Sequence, residues 1–465
     1  MADGAVLGAH LDGTLTGVKS PGATNILGLR EFRALLGARF TNALGMSALA
    51  TVVAFQTYDV TRDPLALGLL GLVEAIPALG LMLVGGHLAD RRDRRSIIVM
   101  TSALLVVGSL VLAAISLNPA LIGLPLILAV VFVIGVAAGF ERPALSAFEA
   151  QVIPLEHASR GASFMGSVWT TAGIIGPALG GISVAIVGLP ATYLGITVVL
   201  ALSTGCVLLI PRKPIPVPRP GESVVQSLTS GARFVARSQT LWGSMALDLF
   251  AVFFGGAIAL LPIFAADILK VGPFGLGLLR TAPSAGALLA MLITTRYQPT
   301  RFAGRIFLVC VTAFGVSMIV FGLSTIFALS LVALFVSGLA DGVSVVIRSV
   351  ILRVESPEAM RGRIASVNFV FIGASNELGA FESGVAASLF GVVPAIVGGG
   401  ILTLLVVAGV SVFAPELRRL DLGRRMIEGP GAGGARPPRE AAPPIDGLPH
   451  APPEAAAAEV ERLAT

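Results

Sequence analysis

Three carboxylates stand inside long apolar stretches of the chain: Glu74, Glu377 and Glu382. An ionisable side chain at the centre of a membrane helix costs roughly 2.5–3.5 kcal/mol on insertion scales, so it persists where it serves a partner or a pathway. Glu74 lies about nine residues into its apolar run, about 13 Å deep at 1.5 Å per residue. Glu377 falls near the middle of its run, and Glu382 one to two turns further along. The chemistry open to such groups is reversible protonation, loading from one side of a barrier and releasing to the other. Glu74 and Glu377 are the leading candidates; a satisfied interhelical hydrogen bond or a gate is the competing reading for each.

Other charges fall at segment ends. Arg280 is the lone basic residue of its apolar run. It could pair with a gate carboxylate, contact an anionic cargo or snorkel to headgroups, and snorkelling is the plainest reading. Arg39 and Asp248, of opposite charge, occupy matching places near one face and are candidates for an ion pair between the two halves of the chain. Arg142 follows Glu141, and Asp341 and Arg348 lie about two turns apart. Cys206 and Cys310 both sit in apolar runs, so neither a disulfide framework nor a metal cluster is expected. No His lies in mid-segment, since His87 and His157 fall in loops, and no phosphate-binding Gly-x-x-x-x-Gly-Lys-[Ser/Thr] loop occurs. With no polar catalytic set either, the expectation is no enzyme, no nucleotide-driven pump, and no cofactor or metal.

The elements that hold these groups are set by composition. Of 465 residues, 55% are hydrophobic and only 13% charged, where a soluble protein needs about a quarter charged. A water-soluble globular enzyme is excluded, and a polytopic chain solvated by lipid fits. About twelve apolar segments follow residue 34, near 34–55, 66–88, 96–117, 121–141, 162–187, 191–210, 241–265, 275–295, 306–324, 326–347, 364–389 and 392–413. Each is roughly 19–26 residues, enough to cross about 30 Å of hydrocarbon as a helix. A β-barrel would need alternating segments of about ten residues.

Arg and Lys gather in alternate loops: Arg91 to Arg95, Arg160, the stretch 211–240, Arg296 to Arg305, Arg353 to Arg363, and the tail. The intervening loops hold almost none, so both termini and the central stretch are expected in the cytoplasm. The net charge of +5 then reads as topology, with no nucleic-acid partner. The expected organisation is a cytoplasmic segment 1–33, a bundle 34–210, a stiff Pro-rich linker 211–240, a bundle 241–415 and a disordered tail 416–465. The halves also repeat: Arg39 to Leu70 aligns without gaps to Asp248 to Leu279, and Arg160-Gly161 echoes Arg361-Gly362. Parallel six-helix repeats place a substrate site at the interface of the halves.

Two motifs narrow the reading. Gly86-His-Leu-Ala-Asp90-Arg91-Arg92-Asp93-Arg94-Arg95 resembles the signature loop of the major facilitator superfamily, G-x-x-x-D-R-x-G-R-R, with Asp93 in place of the expected Gly. Ala172-Gly173-Ile-Ile-Gly176-Pro177-Ala-Leu-Gly180-Gly181 resembles the Gly-Pro segment of proton-coupled exporters in that superfamily, with Ala172 replacing the first Gly. Met360 through Asn368 and Phe371 through Gly384 look like the bacterial branch related to the enterobactin exporter.

The resemblance implies an all-α membrane protein of twelve transmembrane helices in two pseudo-symmetric six-helix bundles. It implies a bacterial inner-membrane efflux carrier, expected as a monomer, exchanging protons for a small amphipathic molecule by alternating access. An uptake or uncoupled carrier, for lysophospholipids for instance, is the alternative. In the family the signature Asp, here Asp90, rests against the start of segment 11 and latches the cytoplasmic side, and an Arg such as Arg142 often lies near that loop. Segments 1, 4, 7 and 10 line the cavity, which makes Asn42, Met46, Gln56, Phe250, Phe253 and Phe254, with Arg280, the candidates for cargo contact. Lipid-facing or core packing remains the plainer reading for any single Phe.

Overall fold

The computed structural model describes residues 26–118, 121–215 and 224–428. Those residues form helices and connecting turns, with no strand among them. In chain order they are α1 Arg30–Thr61, α2 Pro64–Gly80, α3 Met82–Arg91, α4 Arg94–Leu117, α5 Leu124–Val152, α6 Ala158–Leu208, α7 Val224–Arg237, α8 Gln239–Phe254, α9 Ala257–Ile263, α10 Gly272–Arg296, α11 Ala303–Leu323, α12 Phe327–Glu355, α13 Arg361–Phe390, α14 Val392–Phe413, α15 Pro415–Arg418 and α16 Leu422–Glu428. Among the described residues ten helical spans are long and apolar enough to cross a membrane, or eleven when the bent pair α2–α3 counts as one.

Local sequence sets the ends and breaks. Asp63 caps α2 by accepting from the Leu65 N–H, with Pro64 in the first turn where no N–H is needed. Ser238 caps α8 in the same way. Pro77 lacks the N–H that would continue the helix ladder, and the chain bends by 40° between α2 and α3 just beyond it. The 51 residues of α6 are interrupted at Gly188, whose φ of 77° and ψ of 176° are open to glycine and strained for other residues. Pro190 follows, and the break lies between the apolar segments 162–187 and 191–210.

Outward faces carry Met100, Val198, Leu292, Val309 and Leu405 exposed, as lipid-facing surfaces require. Among the described residues the interior holds three apolar clusters. One, around Leu112, Tyr193, Phe264 and Phe321, joins helices from both halves of the chain. The others gather around Phe32 and Phe148, and around Phe307 and Ile351, each within one half.

Two expected boundaries move. The linker 211–240 is not extended throughout: α7 packs on the start of α13, where Arg363 reaches Ser230 at 3.3 Å. The tail does not lose structure at 416. Leu417, Leu420 and Leu422 are buried, and Arg425 lies 3.8 Å from Glu355. Three leucines over six positions suffice to dock a short helix yet make no period visible in a sequence. The rest of the expected tail, and residues 1–25, lie outside the described residues.

Candidate functional site

Among the described residues, helices from the two halves pack most closely in two crossings. α2 packs on α13 where Gly68 and Gly384 touch, and a Cβ added to Gly384 would lie 2.6 Å from the Gly68 Cα. α6 packs on α10 where Gly181 meets Gly277, and a Cβ on Gly181 would lie 2.4 Å from the Pro273 carbonyl oxygen. Gly68 and Gly277 are counterparts in the sequence repeat, so the crossings are counterparts too. The Gly-Pro segment thus faces two neighbours. Gly176 and Gly180 lie against Leu44 to Val52 of α1, while Gly173, Pro177 and Gly181 lie against α10.

Between these crossings is a cavity of about 340 Å³ lined by α1, α2, α5 and α8–α13. Its wall is mostly apolar, with Met46, Leu49, Val53, Leu67, Ile134 and Phe314 prominent. Glu74, Arg280, Asp341, Asn376 and Glu377 supply its polar groups. Glu74 is held by α2, which α5 approaches so closely that a Cβ on Gly135 would stand 2.4 Å from the Glu74 carbonyl oxygen. Glu377 comes from α13 of the other half, its Oε2 3.7 Å from the place a Cβ would take on Gly71, one turn before Glu74. The two carboxylates are near enough to act on each other electrostatically, and exposed Arg142 of α5 acts on both. Glu382 lies outside this cavity, its carboxylate 3.5 Å from the Ser383 hydroxyl.

One end of the cleft is closed. The Tyr58 hydroxyl donates to Asp267 of the other half, and Arg62 approaches Asp267 at 3.4 Å while pairing with Asp59 at 2.8 Å. Tyr58 and Asp267 are 209 positions apart, the shift of the sequence repeat, so equivalent residues meet across an approximate twofold axis. The Arg39–Asp248 pair expected at the same shift does not form. Those residues sit at the other end of the same helices, about 28 Å away along α1. Arg39 pairs with Glu149 at 2.8 Å, and Asp248 with Arg348, each within its own half. A matching repeat position brings residues together only where the halves touch.

The signature loop agrees with that separation. The side-chain partners of Asp90, Asp93, Arg94 and Arg95 all lie before residue 213. Arg94 reaches the Ala89 and Ala147 carbonyls at 3.0 Å, and Arg95 the Leu208 carbonyl at 2.7 Å, near the end of α6 where a cation is favoured. Asp90 lies 3.6 Å from Arg94 with its side chain 69% exposed, so it latches nothing across the cleft in this state. Gly86 faces Pro143 of α5, and Arg91 is exposed at the end of α3. Asp93 supplies no tight glycine turn. Its φ is −61°, and it caps α4 by accepting from the Arg95 N–H and the Ser96 hydroxyl.

Several expected cargo contacts are corrected. Gln56 is 1% exposed and locked in a polar cluster, accepting from the Tyr193 hydroxyl at 2.6 Å and donating to Ser116 at 2.9 Å. Asn42 donates to Glu141 at 2.5 Å, away from the cavity. Phe250 stacks on Phe254, and Phe253 meets Phe254 edge-on, all three outside the wall, where α8 ends and Gly255, Gly256 and Ile258 line the cavity instead. Arg280 does not snorkel: it lines the cavity, Nη1 3.4 Å from the Thr51 hydroxyl. Glu141 and Arg142 are not at a helix end, since α5 continues through Pro143 to Val152. Tyr58 and Asp267 share the repeat shift with Arg39 and Asp248, so the shift marks both pairs alike and only the structure tells which of them meets.

The model of the Major Facilitator Superfamily matches residues 35–380. The chain belongs to that superfamily. Among curated relatives, the enterobactin exporter EntS of Shigella flexneri is 28% identical over 339 residues, covering 72% of this chain and 79% of the relative. The EntS of Escherichia coli O1:K1 is 29% identical over the same length and shares. Among solved structures, the peptide transporter POT has a TM-score of 0.67 at 14% identity, covering 84% of this chain and 95% of that one. A bacterial homologue of the human lysosomal transporter Spinster, inward-facing and unoccupied, has a TM-score of 0.64 at 13% identity over 87% and 99%. At those identities the likeness is one of fold. The chain is a multi-pass membrane transporter and not an enzyme.

Proposed function

We propose that this superfamily member is a proton-coupled exporter of small amphipathic molecules, an antiporter of the bacterial inner membrane with both termini in the cytoplasm. The observation that carries the reading is the meeting of Glu74 and Glu377, one carboxylate from each half, on the wall of one cavity between the halves. Groups so placed exchange a proton with whichever side the cavity faces, and both leave the first side when the halves rock. Counting α6 as two spans on either side of Gly188 supports a reading of twelve crossings, six on each side of the linker. The basic loops lie at the end where Arg39 and Asp248 are parted, and the positive-inside rule makes that end the cytoplasmic one. The apolar wall around few polar groups suits an amphipathic cargo bound mainly by burial. The relatives named as enterobactin exporters support the outward direction.

The test is accumulation of N-phenyl-1-naphthylamine, ethidium, 2-naphthoate and enterobactin by everted vesicles, with and without an imposed pH gradient. Uptake of at least one that collapses with a protonophore is the expected result. Uptake unaffected by the protonophore would favour an uncoupled carrier, and uptake only in right-side-out vesicles would favour import.

A further inference from the structure

Arg280 stands apart from every other cation in the interior. Arg39 has Glu149, and Arg348 has Asp248. Arg142 has the field of Glu74, Glu141 and Glu377 around it. Arg280 has no carboxylate within ion-pair distance among the described residues, and no acid acts on it. Its Nε is sealed from solvent without a hydrogen-bond partner. The single polar contact is Nη1 to the Thr51 hydroxyl at 3.4 Å, and that hydroxyl already donates to the Ser47 carbonyl at 2.9 Å. Thr51 thus turns a lone pair toward the guanidinium and steadies it without neutralising it.

The repeat makes the placement asymmetric. The counterpart of Arg280 in the first half is Gly71, the residue beside which Glu377 packs. At equivalent places in the wall, one half makes room for an acid and the other projects a base. A guanidinium offers a planar fork of donors that matches the two oxygens of a carboxylate, a sulfonate or a catecholate, and desolvation in an apolar wall strengthens that pairing.

We propose that the cargo is an amphipathic anion, its apolar body on the Met46–Val53–Phe314 wall and its oxyanion on Arg280. This rests on the reading of the cavity as the cargo site and names the cargo class. Glu74 and Glu377, balanced by Arg142, remain the proton groups, so cargo and proton have separate partners in one chamber. Asp341, on the α12 side of the same cavity, is the acid that would repel an anion placed wrongly.

Three probes of one shape and different charge decide it: 2-naphthoate, 2-naphthamide and 2-naphthamidine. Binding to purified full-length protein in detergent is measured by equilibrium dialysis. Wild type is expected to bind naphthoate about tenfold or more tighter than the amide, one charge-assisted pairing's worth, and the amidine weakest. Arg280→Gln is expected to bring naphthoate down to the amide's affinity with the amide unchanged, and Arg280→Lys to keep part of the preference because it keeps the charge without the fork. Equal binding of naphthoate and amide by wild type, tighter binding of the amidine, or a naphthoate preference that survives in Arg280→Gln would each overturn the proposal. The wild-type comparison stands even if Arg280→Gln does not fold. Arg280-dependent naphthoate binding with no gradient-driven transport would sink proton coupling and leave the anion site intact; coupled transport of neutral or cationic probes alone would do the reverse.

Discussion

At the scale of single residues, the interior charges divide into those already paired and those that face the cavity. The Asp248–Arg348 pair is of the first kind, both side chains less than a tenth exposed. Removal of one partner from a buried ion pair typically costs about 3–5 kcal/mol, while replacement of both by apolar residues is often neutral. Arg348→Leu is therefore expected to lower the melting temperature of the purified protein markedly, and Asp248→Leu with Arg348→Leu to restore most of it; equal losses in single and double variants would show that the pair is not the reason. Gln56 belongs to the same class. Gln56→Leu leaves the Tyr193 hydroxyl, sealed against α1, without its acceptor, an expected loss of about 1–3 kcal/mol read by the same melt. Cargo affinity measured beside it should not change, in contrast to substitutions at Met46 or Arg280. Sequence alone could place these polar groups in apolar segments. It could not tell a cavity wall from a closed hydrogen-bond cluster, because that depends on which helix face turns toward which neighbour.

The same division holds for elements. The helices were legible because lipid contact demands long apolar runs, and the break in α6 was legible because Gly188 and Pro190 interrupt one. The extension of α5 beyond Glu141, the docking of α15 and α16, and the helix within the linker were not, since these depend on contacts with partners distant in the chain. The two crossings are the elements' main device. A Cβ on Gly181 meets backbone at 2.4 Å and 2.8 Å, whereas one on Gly173 meets the movable Ser284 hydroxyl at 3.3 Å. Gly181→Val is expected to force α6 from α10 and abolish transport with a lower melting temperature, and Gly173→Ala to leave both nearly unchanged. Similar effects of the two would mean that the crossing tolerates separation and that the Gly-Pro segment acts in some other way.

Across the whole molecule, the two ends of α1 and of residues 239–268, which pack against it, show what holds the state. Equivalent positions touch at Tyr58 and Asp267 and are parted at Arg39 and Asp248. Tyr58→Phe with Asp267→Asn removes the contact at the closed end. In a background with Cys206→Ser and Cys310→Ser, a reporter at Ala50→Cys in the cavity wall is expected to react faster with a membrane-impermeant maleimide added from outside. No change would show that the crossings alone close that end. The repeat in the sequence foretold that the halves are related, and the choice of end at which they meet came only from the structure.

The claim on which the account turns is that Glu74 and Glu377 carry the coupled proton. Its most direct measurement compares two modes in proteoliposomes, with the anionic probe 2-naphthoate: uptake driven by a pH gradient, and exchange of labelled for unlabelled probe at equal pH. The account predicts that Glu74→Gln and Glu377→Gln lose the gradient-driven mode and keep exchange, because binding and rocking survive without the proton. Full gradient-driven uptake in both variants would contradict it.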